Sequence, residues 1–190
     1  MADEKRLLSE EDVHYILRNS FLVEEEMRQW YDNFQVDCPD GRLDKPRLIE
    51  MYRKFYKKGS PEEFCDLLFR VLDRDGNGTV EFMEFLLALG VMTSSDPNER
   101  LKWAFRLFDI NQNGFIEQSE MVSVVSALYE MLGRHLSIDG EEEGEEDMAS
   151  AVENAFSRMD INQDGQISQD EFIEICKKVP RLARALKLDR

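Results

Sequence analysis

Twelve-residue segments cut to one template occur three times in this chain: DRDGNGTVEFME (73–84), DINQNGFIEQSE (109–120) and DINQDGQISQDE (160–171). Each sets oxygen-bearing side chains at positions 1, 3, 5, 9 and 12 and glycine at position 6. Carboxylates this close repel one another unless a positive charge lies among them. The central glycine lets the backbone turn sharply around such a charge. The template therefore asks for a cation.

The donor set says which cation. The first segment offers Asp73, Asp75, Asn77, the backbone carbonyl of Thr79, Glu81 and Glu84. The second offers Asp109, Asn111, Asn113, the carbonyl of Phe115, Glu117 and Glu120; the third Asp160, Asn162, Asp164, the carbonyl of Gln166, Ser168 and Glu171. Hard oxygen donors closed by a position-12 glutamate, which can ligate with both oxygens, make the calcium loop of an EF-hand. Three calcium ions per chain are expected, with magnesium as the candidate occupant at rest. Carboxylate ligands number four in the segment at 73 and three in each of the others, so the first has the strongest electrostatic pull. Affinities on the order of 10⁻⁷ to 10⁻⁵ M, the sensor range, are expected.

A fourth copy is broken. Counting back from Gly41 as position 6 in VDCPDGRLDKPR puts Val36 at position 1 and Arg47 at position 12. An apolar residue replaces the first carboxylate, a cation replaces the last, and Pro39 stiffens the turn, so this loop is read as metal-free. Its retention has a structural reason, because EF-hands pair through a short strand contact at position 8. Those residues are Leu43, Val80, Ile116 and Ile167 in the four loops.

Apolar residues at helical spacing flank every loop, which predicts an all-α chain of four EF-hands in two paired lobes, with only short two-stranded loop contacts. The N-lobe spans 1–92, with the degenerate hand at about 24–57 and a calcium-binding hand at about 61–92. TSSDPN (93–98) is a hinge, and 99–179 forms a C-lobe of two calcium-binding hands. Ser60, Pro61 and Glu63 read as N-cap, first helical residue and capping box. Pro46 sits near another helix start. DGEEEGEED (139–147) reads as a solvated acidic linker. After Pro180, residues 180–190 can form a short helix with Leu182, Ala185 and Leu186 along one stripe and basic residues around it. That tail is either a cap on the C-lobe or a shield over the sensor's own hydrophobic surface that competes with the target.

Composition narrows the partners. A formal charge of −16 disfavours nucleic acid, whose phosphates would be repelled. Cys38, Cys65 and Cys176 are odd in number and scattered, which suits reduced thiols in a cytoplasmic protein. No run is long and apolar enough to span a bilayer, and the acidic start MADEKRLLSEED is unlike a signal peptide. Ala2 stands where N-myristoylation requires glycine. Membrane contact is thus expected to be peripheral and electrostatic at most. Arg42, Lys45, Arg47, Arg53, Lys54, Lys57 and Lys58 form a cationic run that is either a solvated face or a contact for anionic head groups or an acidic target.

The broken DCPDG loop, the three intact loops after it and the helix ERLKWAFRLFD resemble the neuronal calcium sensor family over roughly residues 10–188. The resemblance implies a compact two-lobe sensor that exposes a hydrophobic groove to a target helix. The family's groove positions fall on Trp30, Phe34, Leu48, Tyr52, Phe55, Phe85 and Leu89. Helical spacing independently places Trp30 with Phe34, Leu48 with Tyr52 and Phe55, and Phe85 with Leu89 on shared faces. The same spacing also serves an ordinary N-lobe core.

The expected function is a calcium sensor that regulates a target protein through a basic or amphipathic helix, acting as a monomer or weak dimer. A calcium buffer and a constitutive EF-hand subunit of an enzyme or channel are the alternatives. No nucleophile–base pair, phosphate loop or catalytic metal constellation is present, so no enzymatic activity is expected.

Overall fold

The structure, a computed structural model, describes residues 24–92, 94, 96–133 and 148–178. The acidic segment 139–147 and the tail 180–190 lie outside the described residues, as do residues 93 and 95 of the hinge. Among the described residues the chain is helical apart from four two-residue strands. No helix among the described residues is long and apolar enough to cross a membrane.

In the N-lobe, helix α1 (Glu24–Asp37) enters the broken loop, strand β1 (Arg42–Leu43) crosses it and α2 (Lys45–Phe55) leaves it. Asp44 caps α2 by accepting from the Arg47 amide at 2.9 Å, and Pro46 sits in the first turn, where a missing N–H costs nothing. Helix α3 (Glu62–Leu72) then leads into the second loop, and β2 (Val80–Glu81) and α4 (Phe82–Met92) lead out. The C-lobe repeats the plan with α5 (Pro97–Phe108), β3 (Phe115–Ile116), α6 (Gln118–Met131), α7 (Met148–Met159), β4 (Ile167–Ser168) and α8 (Gln169–Lys178).

The strands pair antiparallel within each lobe, Leu43 against Val80 and Ile116 against Ile167. All four position-8 residues are buried, so each pair of loops is zipped at its middle by an apolar contact. Around them the helices turn their apolar faces inward. Phe64, Cys65, Leu68, Phe69, Val71 and Leu72 cover the inner side of α3. In the C-lobe Phe172 is fully buried, its ring 5.8 Å from those of Phe105 and Phe108.

One expectation about capping fails. Helix α3 has Pro61 at its cap position and no side-chain cap hydrogen bond, so Ser60 does not cap it. The Ser60 amide instead donates to the carbonyl of Glu130 on α6, 2.9 Å away. That contact ties the backbone just before α3 to the other lobe. The neighbouring Gly59 is required by the same approach, since a Cβ there would lie 2.0 Å from the Met131 carbonyl oxygen. Helix α3 packs along α6, so the two lobes meet directly.

Candidate metal centre

The second, third and fourth loops share one hydrogen-bonded scaffold. At position 1, Asp73 accepts from the amides of Asn77 (3.1 Å) and Gly78 (2.9 Å). Asp109 accepts likewise from Asn113 and Gly114, both at 3.0 Å, and Asp160 from Asp164 (3.1 Å) and Gly165 (2.9 Å). At position 3, Asp75, Asn111 and Asn162 each accept from the amide two residues on. At position 5, Asn77, Asn113 and Asp164 do the same. The side-chain oxygens are thereby fixed by backbone donors on one side of the turn.

Position 12 closes each loop. Glu84 accepts from the amides of Arg74 at 2.8 Å and Glu81 at 3.1 Å, one through each carboxylate oxygen. Glu120 accepts from Ile110, Asn111 and Glu117 at 2.9–3.0 Å. Glu171 accepts from Ile161, Asn162 and Ser168, with the Ser168 hydroxyl adding a donor at 2.7 Å. Partial burial pushes the Glu171 carboxyl up, but those donors more than offset it and hold the group below its ordinary range. One carboxylate thus spans the start and the end of its own loop.

Backbone conformation follows the same plan. The position-6 glycines Gly78, Gly114 and Gly165 have φ of 84°, 87° and 85°, in the left-handed region that side chains disfavour. Position 4 is left-handed as well, held by Gly76 in the second loop but by Gln112 and Gln163, both at φ 58°, in the other two. Sequence reasoning passed over that position, because glutamine carries no signal for it.

These residues fit a hard divalent cation. Carboxylate oxygens of Asp73, Asp75 and Glu84 lie within 4.8 Å of one another, close enough to share one ion. All donors are oxygens, as calcium or magnesium requires. The first loop does not fit. Val36 points to solvent, 78% exposed, and Arg47 at position 12 brings a guanidinium that donates to the Asp40 carboxylate and the Arg42 carbonyl.

The seven proposed groove residues fall in four settings. Trp30, Phe34 and Phe85 come together, with Phe85 6.2 Å from Trp30 and 5.4 Å from Phe34, ring centre to ring centre. Leu48 is buried in the core, and Leu89 packs against it partly covered. Tyr52 lies between Tyr56 and Phe64, its hydroxyl pushed up by burial. Phe55 stands apart, 80% exposed at the end of α2. Within the cationic run, Lys45 pairs with Asp66, Arg47 with Asp40 and Arg53 with Glu62. The Cys65 and Cys176 thiols are buried, which pushes both up to about 12.

One connecting residue had no motif to announce it. Arg70 on α3 donates to the carbonyls of Arg106, Leu107 and Asp109 at the end of α5, at 3.0–3.2 Å. A cation at a helix C-terminus satisfies carbonyls that the helix leaves open. Here the cation comes from the other lobe.

Comparison with known proteins agrees with this geometry. A family model described as an EF-hand domain pair matches residues 98–177, and a second model, also of an EF-hand domain pair, matches residues 39–89. Neuronal calcium sensor 1 of Lymnaea stagnalis is 36% identical over 181 residues, covering 95% of this chain and 93% of the relative. The protein of the same name from Aplysia californica is 36% identical over the same extent.

Proposed function

The chain belongs to the neuronal calcium sensor family of EF-hand proteins, and on that premise we propose that it is a calcium sensor that regulates a target protein. Three ions would be held, by Asp73, Asp75, Asn77, Glu81, Glu84 and the Thr79 carbonyl, and by the matching residues of the third and fourth loops. The single observation that carries this reading is the scaffold of backbone donors repeated in full in three loops and reduced in the first to one long bond, from the Arg42 amide to Asp40 at 3.4 Å. It presents oxygens of one chemical kind at one set of positions, and a glutamate at position 12 favours calcium over the smaller, stricter magnesium. Magnesium at rest is part of the proposal.

Glu84, Glu120 and Glu171 would hold the ion at position 12, and calcium there would supply the positive charge that favours the open angle between the helices of a sensor EF-hand. An apolar groove in the N-lobe, within a division at 1–92 and 99–179, is the surface that would receive a target helix. Two features support it. Helix α4 is apolar on nearly all sides, yet Met83, Phe85, Leu87 and Leu89 are only partly covered. Trp30, which meets Phe85, keeps 37% of its surface exposed. A net charge of −16 favours a basic amphipathic helix as the partner. The reading places a non-enzymatic monomer or weak dimer in the cytoplasm, touching membranes peripherally at most.

Hydrophobic-dye fluorescence in chelator and in calcium tests the proposal. A sensor should show a rise with calcium that a basic amphipathic peptide then competes away. An unchanged signal would identify a buffer, and a high signal in both conditions a constitutive subunit.

A further inference from the structure

We propose that Arg47 is a cation built into the first loop, its guanidinium standing where the loop geometry would otherwise demand a metal ion. Nη1 of Arg47 donates to the Asp40 carboxylate at 2.9 Å and to the Arg42 backbone carbonyl at 2.9 Å. Those are positions 5 and 7, a side-chain oxygen and a backbone carbonyl, the same pair of ligand types that Asn77 and Thr79 offer in the second loop. Two ligand positions of an EF-hand loop thus converge on one positive group that cannot dissociate, because the chain carries it.

The rest of the loop is arranged to suit. Val36 at position 1 has no oxygen to offer and faces solvent. The Gly41 amide, which a position-1 carboxylate would bind, donates instead to the Cys38 carbonyl at 2.9 Å. Asp44 at position 9 turns outward to cap α2 through the Arg47 amide. Hydrogen bonding to Arg47 holds the Asp40 carboxyl below its ordinary range, so the pair is charged at neutral pH. The carbonyl that Arg47 grips belongs to β1, where Arg42 and Leu43 pair with Glu81 and Val80 of the second loop. The first hand is therefore held closed by its own cation, and it offers the second loop a formed strand at every calcium concentration.

The inference stands on the first loop alone, so its failure would leave the calcium count of the other three untouched. Amide hydrogen exchange on the full chain in chelator tests it. In the wild type the amides of Gly41, Arg42 and Arg47 should be protected without calcium. Arg47→Ala should speed their exchange by about tenfold or more while the third and fourth loops are unchanged, and millimolar methylguanidinium should restore the protection. Unchanged exchange in Arg47→Ala would overturn the proposal. If that variant unfolds, the wild type still decides. Resolved, slowly exchanging Arg47 Nη protons in chelator support a seated guanidinium, and Nη protons averaged with solvent refute it.

Discussion

Glutamate at position 12 has two tasks in each regular loop. It bonds the loop's first amides to its last, as Glu84 does with Arg74 and Glu81, and it brings two oxygens to the cation side. Glutamine keeps the shape and removes the charge. Glu84→Gln should lower affinity at its own loop by about tenfold or more and leave the third and fourth loops near wild type, as read by calcium titration of the purified variant. Equal affinity in that variant would detach Glu84 from the site. At this scale the sequence was highly legible, because ligand identity depends on spacing along twelve residues and on nothing farther away. What escaped is conformational. Nothing in the letters Gln112 and Gln163 announces a left-handed backbone, and Arg47 reads as a lost ligand until its side chain is seen to turn back into the loop.

Among elements, the strand pair is the link between a hand with the regular loop and the hand whose loop is broken. Leu43 and Val80 are buried against each other's strand, so the broken loop braces the second loop through one apolar contact. Leu43→Ala should cost about 2–5 kcal/mol of N-lobe stability and weaken the second loop's ion affinity although residue 43 binds no ion. Denaturant unfolding in chelator, paired with calcium titration, checks both, and an N-lobe of unaltered stability would show the brace to be idle. The helices on either side of each loop were legible from apolar spacing, which reports directly which face turns inward. The contact of the Ser60 amide with a carbonyl on α6 was not, because its partner lies seventy positions away in sequence.

For the molecule as a whole, two lobes were readable from the repeat, but how they touch was not. Arg70, with no motif around it, crosses from α3 to the carbonyls that end α5 and begin the third loop. Arg70→Met keeps the stem and deletes the donors. It should cost about 1–3 kcal/mol and split a shared unfolding transition into separate N-lobe and C-lobe steps in denaturant. A single transition at the wild-type midpoint would mean that α3 and α6 hold the lobes together without it. Under the proposed function three loops of this chain hold calcium and the first does not. Calorimetric titration of the chelator-stripped protein measures that directly. Three ions per chain are expected, and none once Asp73→Ala, Asp109→Ala and Asp160→Ala are combined. A fourth ion in the wild type, or a site that survives the triple substitution, would contradict it.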